Sequence, residues 1–252
     1  PRLPAGPRRL DASGFSDSSR VAILAATEWF GHPAAGVLLS GAGGGNEEMG
    51  KLPKSAVVAG LAASASVHRW DIACTVYKYS KTKHARAFFF PGRADWGAPA
   101  LIADAMTWMN ACQLRDEKGG RPEIAREREA LAKSILDRVE PALEARPGWA
   151  AEWIEFLKDF PGLGPLQGRV RAAAQKLEKI PAAAAQLKAV PEVEKFARKH
   201  FATSPKAYRK DNANGTPEAK RDADALLAKF KDAELAAVIT EFGAAAPTGG
   251  GH

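Results

Sequence analysis

The second half of the chain consists of amphipathic segments separated by proline or glycine, and this pattern restricts the fold more than any other feature. In the first segment, apolar residues recur at helical spacing, and one face carries Leu101, Ala105, Trp108 and Cys112. The later segments are rich in alanine, the best helix former, and end at a proline or glycine. The sequence therefore predicts a mostly α-helical region over 99–243, with segments too unequal in length for a regular solenoid.

The preceding region, 17–98, is predicted to be a small α/β (or α+β) unit. A helix is expected to begin within SDSS and to continue through RVAILAATEWFG, and AGVLLS at 35–40 is expected to be a short buried strand. AVVAGLAASA at 56–65 is predicted as a helix packed on a sheet. DIACTVYKY at 71–79 and ARAFFFPG at 85–92 are rich in β-branched and aromatic residues, so they are predicted as the two strands of a hairpin.

The two ends of the chain are predicted to lie outside the folded part. Residues 244–252 read as a flexible tail, and 1–16 as an extended arm in which Arg2, Arg8 and Arg9 stand among prolines. These arginines are candidate interface residues, because such an arm cannot bury itself. A Pro-, Arg- and Ser-rich start without methionine is typical of a chain left after removal of a targeting peptide, although a truncated chain would look the same. An organelle interior or an extracytoplasmic compartment is therefore favoured over the cytoplasm.

The net charge of +7 favours acidic partners such as nucleic acid, anionic lipid or an acidic protein surface. In segments such as RPEIAREREALAKSILDRVE, however, acidic and basic residues alternate at helical spacing, which is typical of a solvated helix face. Nucleic acid is thus a possible partner but not the favoured one. Because no apolar run approaches the roughly 18 residues of a membrane span, the sequence predicts a soluble protein without a transmembrane segment.

One stretch, GNEEMGKL at 45–52, lies one residue away from the nucleotide-binding loop G-x-x-x-x-G-K-[ST]. Lys51 occupies the lysine position, but Leu52 replaces the hydroxyl residue that would bind magnesium. Glu47 and Glu48 would lie inside the loop and repel a polyphosphate. The dinucleotide pattern G-x-G-x-x-G fails at its third glycine. The stretch is therefore interpreted as a glycine-rich loop, and no cofactor is predicted.

The sequence predicts neither a metal site nor catalytic residues. Cys74 and Cys112 are 38 residues apart without a C-x-x-C motif, and the five histidines form no H-x-x-x-H pair. The two cysteines could form one disulfide or remain as two buried thiols, and the sequence leaves both alternatives open.

The order helix, strand AGVLLS, loop, LPKSAVVAGLAAS and DIACTVYKY resembles the first βαβ of thioredoxin-like domains, over residues 17–92. The family carries a C-x-x-C pair in the loop after the first strand, whereas GAGGGNEEMGK has no cysteine. The family's cis-proline is also not identifiable, since Pro91 follows FFF instead of preceding a strand. The resemblance thus implies a degenerate thioredoxin-like unit that has lost its dithiol chemistry, with no active-site residue to carry over.

Two segments are candidates for binding. The first places four aromatic residues at i, i+4, i+7 and i+11, which forms one stripe of a helix of the kind that anchors protein interfaces. The stripe consists of Trp149, Trp153, Phe156 and Phe160. The second is the turn PGRADWG, a candidate binding loop through Arg93, Asp95 and Trp96.

These features favour a non-enzymatic structural or accessory subunit, a protein-interaction domain of a larger multiprotein complex. The alternative is a thioredoxin-like redox protein or another enzyme of unknown substrate. A third hypothesis is a basic nucleic-acid-associated protein of the ribosomal type.

Overall fold

The computed structural model has a mixed α/β architecture with a helix-rich C-terminal region, as the sequence predicts. Within the part of the chain it describes, no helix is long and apolar enough to cross a membrane. The described residues are 11–15, 18–29, 35–41, 49–66, 68–93, 97–118, 121–202 and 216–243.

Within these residues the strands form one four-stranded sheet in the order β1-β2-β3-β4, and every neighbouring pair is parallel. The two central strands are buried along their whole length, whereas β1 and β4 form the edges. The strands are β1 (Asp11–Phe15), β2 (Gly36–Ser40), β3 (Val57–Ala63) and β4 (His84–Phe90).

Helices cover both faces of the sheet. Helices α1 (Ser18–Leu24) and α2 (Arg69–Cys74) each continue into a π-helical turn and pack on one face. Helix α3 (Pro99–Asp116) packs on the other face. The remaining helices are α4 (Pro122–Val139), α5 (Pro147–Lys158), α6 (Gln167–Leu177), α7 (Pro181–His200), α8 (Pro217–Phe230) and α9 (Ala236–Gly243).

The helical region does not form a separate core. Helices α3 to α6 enclose one apolar cluster, but α7, α8 and α9 return to the sheet. There Phe196 and Phe242 belong to the same cluster as Val37 and Leu39 of β2. The sequence changes from α/β to helical character near residue 98, but residues on both sides of this point pack in the same core.

Two predicted elements are exchanged in the structure. The segment predicted as a helix at 56–65 contains β3, and the strand predicted at 71–79 lies in α2 and its π-helical turn. The segment at 85–92 contains β4, as predicted, but this strand pairs with β3 in parallel and not in a hairpin. A central parallel strand is buried on both faces, so its sequence is a continuous apolar run that lacks the alternation of a half-buried strand. The thioredoxin-like assignment, which relied on the exchanged elements, is not confirmed.

Two further elements differ from the prediction. Residues 11–15, expected within the extended arm, form edge strand β1, where Ala12 and Gly14 are buried. The later segments are predicted to end at a proline or glycine, but helix α7 continues through Pro191. Tertiary packing outweighs the local signal at both places. The arm residues Arg2, Arg8 and Arg9 and the tail 244–252 lie outside the described residues.

Helix α2 approaches the sheet closely at Gly60 of β3. A Cβ atom there would lie 2.5 Å from Ile72 Cγ2 and 2.8 Å from Val76 Cγ2. Both side chains are fully buried and have little room to move. The absence of a side chain at this position therefore sets the spacing between the helix and the sheet.

We expect Gly60→Ala to lower the free energy of unfolding by about 1–3 kcal/mol, because the added methyl group overpacks this contact. Gly168→Ala is the matched control, since a Cβ there meets nothing within 4 Å on helix α6. That change should stabilise the protein by about 0.5–1 kcal/mol, as alanine is the better helix former. Urea unfolding measures both variants, and stabilisation by Gly60→Ala would contradict the close packing of α2.

Candidate functional site

A cavity of about 510 Å³ lies beside the outer edge of β4, and we call it the aromatic pocket. Residues 86–91, from the strand and the turn after it, all line the pocket. The side chains of consecutive strand residues point to opposite faces of the sheet. A cavity that contacts all of them must therefore lie beside the edge of the strand. Helices on both faces of the sheet extend past this edge and enclose the space.

The pocket has two apolar walls. The aromatic wall comes from β4, α3 and α5, and in it the Phe88 and Trp108 rings meet edge to face with centroids 5.6 Å apart. The opposite wall is aliphatic and comes from α7, α9 and the turn before α9. The aromatic wall consists of Phe88, Phe90, Trp108, Trp149, Trp153 and Phe156, and the aliphatic wall of Val190, Val193, Leu235 and Val238.

The aromatic stripe predicted on α5 faces this pocket and the core. Trp149 and Phe156 are half-buried and line the pocket, together with Trp153, which is 7% exposed. Phe160 is 4% exposed and packs in the helical core, away from the pocket. The stripe is thus divided between pocket wall and core. The sequence could not reveal the other aromatic residues of the wall as partners of the stripe, since they lie on elements distant in the chain.

Arg86 joins β4 to the helices. Its guanidinium forms an ion pair with Glu152 on α5 and lies 4.6 Å from the Phe88 ring centroid. Burial acts to lower the pKa of Arg86, but the Glu152 carboxylate outweighs it and raises the pKa. Gln186 on α7 donates to Glu152 at 2.6 Å and accepts from the Leu235 amide at 3.1 Å. These hydrogen bonds connect β4, α5, α7 and the turn before α9.

Two other carboxylates of the lining also have partners. Asp104 on α3 is buried, forms an ion pair with Arg138 and accepts from the Trp149 indole N–H at 2.7 Å. Glu234 accepts from the backbone amides of Gly148 at 2.8 Å and Trp149 at 3.2 Å. It therefore caps the positive N-terminus of α5.

Glu194 on α7 differs, because its half-buried carboxylate forms no hydrogen bond or ion pair with a described residue, although its charge also acts to raise the pKa of Arg86. It lies near Tyr77, whose phenol pKa is raised by burial and then by the Glu194 charge. The lining as a whole carries four carboxylates and two guanidinium groups, a net charge of −2, on a chain of net charge +7. Arg138, which lies outside the lining, pairs with one of these carboxylates, so the pocket has a small excess of acidic groups.

The carboxyl ends of β3 and β4, where parallel sheets often bind ligands, are covered by α9. The Glu241 carboxylate accepts from the Ser64 hydroxyl and from the Gly92 amide at 2.9 Å. Arg69, fully buried, donates to the carbonyl oxygens of Ser64 and Glu241 and stacks on Trp70, 4.2 Å from its ring centroid. Helix α9 thus occupies the part of the edge that a ligand would otherwise use.

The other sequence candidates that the structure describes do not line the pocket. In the loop resembling a nucleotide site, Lys51 is exposed and Leu52 is 4% exposed within the core, while Glu47 and Glu48 lie outside the described residues. Arg93 is exposed after β4, in the turn that was predicted as a binding loop. The other two residues of that prediction, Asp95 and Trp96, lie outside the described part.

The two cysteines lie on opposite faces of the sheet, and both are buried thiols outside any disulfide. Burial is the main cause that raises the pKa of Cys74, and it raises the pKa of Cys112 to about 12. The disulfide left open by the sequence is therefore not formed. The described residues also contain no cluster of three or more His, Cys, Asp or Glu side chains able to hold a metal ion.

We expect both native thiols to react with a water-soluble disulfide reagent on the order of 100-fold more slowly than in the unfolded chain. A buried thiol with a raised pKa supplies little thiolate near pH 8 and reacts only after local opening. Absorbance traces of the native and the denatured protein measure the two rates. A fast native phase that disappears in Cys74→Ser or Cys112→Ser would contradict the burial of that thiol.

No protein-family model matches the chain, and comparisons with curated proteins and with solved structures give no significant match.

Proposed function

We propose that this protein is a non-enzymatic interaction domain, a subunit of a larger assembly that holds an apolar part of another protein in the aromatic pocket. The observation that carries the proposal is the pocket itself, a cavity of about 510 Å³ with an aromatic and an aliphatic wall. Its size lies within the range of roughly 300–1,000 Å³ that is usual for binding pockets. Large aromatic side chains in such pockets supply most of the energy at protein interfaces.

The polar groups of the pocket support a binding function more than a catalytic one. Arg86, Glu152 and Gln186 bond to one another, and Asp104 bonds to Trp149 and Arg138. Groups held in this way shape and stiffen a pocket, whereas a catalytic acid or base must reach the reacting atom. Recognition therefore rests on the shape of the apolar walls and on the Glu194 carboxylate, which forms no hydrogen bond within the described part of the chain.

The two alternative functions have less support. A thioredoxin-like redox reaction needs a reactive thiolate, and the described cysteines are buried on opposite faces of the sheet with raised pKa values. Binding of nucleic acid needs a basic surface for phosphate, whereas the lining of the pocket has a net charge of −2. Several basic side chains elsewhere already pair with carboxylates, such as Lys83 with Asp116 and Arg169 with Glu140.

The test is selection of displayed dodecapeptides on the full chain, followed by fluorescence anisotropy with the selected peptides. Ala100 and Ala103 are both exposed on α3, but only Ala100 lines the pocket. We expect Ala100→Trp to weaken binding by about tenfold or more by filling the pocket mouth, and Ala103→Trp to leave it unchanged. Unfolding curves confirm that both variants are folded. Failure to select any peptide, or equal binding by the two variants, would overturn the proposal.

A further inference from the structure

Strand β4 exposes one edge of its backbone to the pocket. On the β3 side, the Phe90 carbonyl accepts from the Ser64 amide at 2.8 Å. On the opposite side, the Ala87 amide donates to the Tyr77 hydroxyl at 3.1 Å. Backbone groups of consecutive strand residues point alternately to the two sides, so the amide and carbonyl of Phe89 and the carbonyl of Ala87 also point outward. None of these three groups bonds to a residue that the structure describes.

The pocket occupies the position that a fifth strand would take. It lies along residues 86–91, and the layers above and below the sheet continue past β4 to form its walls. A chain placed there would direct alternate side chains to the aromatic wall and to the aliphatic wall. A small apolar ligand would fill the same space but leave the outward amide and carbonyls of β4 without partners. A peptide backbone supplies matching acceptors and donors, which favours a peptide as the occupant.

The charges that line the pocket indicate which peptide sequences would bind there. Carboxylates outnumber guanidinium groups in the lining by four to two. The half-buried Glu194 carboxylate forms no hydrogen bond or ion pair with a described residue, and the Arg86 guanidinium with which its charge interacts is already paired with Glu152. A nearby basic side chain would compensate this carboxylate and could also lie against the aromatic rings. An acidic segment would meet repulsion at the same place.

We propose that the occupant is an extended segment of a partner protein that pairs with β4 as a fifth strand. The segment carries apolar side chains at successive positions and one lysine or arginine that reaches Glu194. This inference rests on the proposed function, since it names the partner of the same pocket. Strand addition gives affinity through the backbone, while the two walls and Glu194 select the side chains.

The first experiment scans the backbone of a selected dodecapeptide with one N-methyl group at a time. N-methylation removes a single donor and keeps the side chain, so it separates strand pairing from side-chain burial. We expect amides that face β4 to lose about tenfold or more in affinity, and the intervening amides to lose less than about threefold. On the protein, hydrogen exchange of the Phe89 amide should slow when the peptide binds.

The second experiment reverses the charge at Glu194. Glu194→Lys should weaken binding of a peptide that contains a basic residue by about tenfold. Glu129→Lys is the matched control, because Glu129 is an exposed residue of α4 that does not line the pocket. It makes the same change in net charge and should leave the affinity unchanged.

Failure of this inference is distinct from failure of the proposed function. If the effects of N-methylation do not alternate along the peptide while Ala100→Trp still weakens binding, strand addition is wrong and the pocket remains a protein-binding site. Selected peptides without basic residues, or equal effects of the two charge reversals, would overturn the role of Glu194. Concentration-dependent dimers that Ala100→Trp dissociates would identify a second copy of this chain as the occupant and overturn the assignment of a different partner.

Discussion

Replacing Phe242 with alanine is expected to lower the free energy of unfolding by about 4 kcal/mol. Phe242 on α9 is 1% exposed, and its ring centroid lies 4.9 Å from that of Phe201 and 5.1 Å from that of Phe89 on β4. It also stacks on Phe196 of α7 at 5.3 Å. Removing the ring would leave a cavity where α7, α9 and the sheet meet, and a close-packed core relaxes only in part to fill such a void.

Urea unfolding followed by circular dichroism measures this loss. Thr240→Ala is the control on the same helix, because Thr240 is exposed and, among the described residues, its hydroxyl donates to the carbonyl of Ala236 alone. We expect its effect to stay within about 0.5 kcal/mol. A loss below about 1 kcal/mol for Phe242→Ala would show that α9 does not contribute to the core of the sheet.

The second large effect is expected at the ion pair on the floor of the aromatic pocket. Arg86→Met should lower the free energy of unfolding by about 2 kcal/mol, because the Glu152 carboxylate would remain partly buried without its cation. The side chains of the pair are 24% and 22% exposed, so solvent screening makes the loss smaller than the roughly 3–5 kcal/mol of a fully buried pair. The main cause of this loss of stability is the Glu152 charge left without a partner, and not the loss of its attraction to Arg86.

A double-mutant cycle tests that cause. Arg86→Met combined with Glu152→Gln replaces both charges and retains an oxygen that accepts from Gln186. We expect the double variant to be more stable than Arg86→Met alone, with a total loss of less than about 1 kcal/mol. If Glu152→Gln lowers the stability of the Arg86→Met variant further, Glu152 does not require Arg86 as its counter-charge.

For the proposed function, the stability of the pocket and its ability to bind are separable. Phe242 and the Arg86–Glu152 pair support the walls, whereas Ala100 and Glu194 face the space between them. Variants of the first kind should change both stability and affinity. Variants of the second kind should change affinity while the unfolding curves stay the same, which makes them the sharper probes of recognition.

The sequence by itself determined the elements whose signals are local. Helices of the second half begin where proline is tolerated, at the first helical turn, and Pro99, Pro122, Pro147, Pro181 and Pro217 all stand there. The strands at 35–40 and 85–92 were also predicted, since short β-branched or aromatic runs between turns favour strands. Leu52 already argued against a nucleotide loop, and the structure places this residue in the core.

Only the tertiary structure decided which of the segments 56–65 and 71–79 is the strand. Both are short and apolar, and periodicity cannot separate a strand buried on two faces from a buried helix. Gly60 resolves the choice, because its missing side chain lets Ile72 of α2 and Val76 of the π-helical turn after it pack against the strand. This contact is between residues of two different elements, so the sequence of either segment alone does not predict it.

The aromatic pocket likewise depends on tertiary structure. The stripe on α5 could be recognised from its spacing, but its role as a pocket wall depends on β4, α3 and α7, which are far from it in the chain. The position of β4 at the edge of the sheet is a property of strand order, which helical and strand periods do not encode. Local periods in the sequence thus determined which segments form helices, whereas contacts between distant segments decided where a backbone edge and apolar walls enclose a binding site.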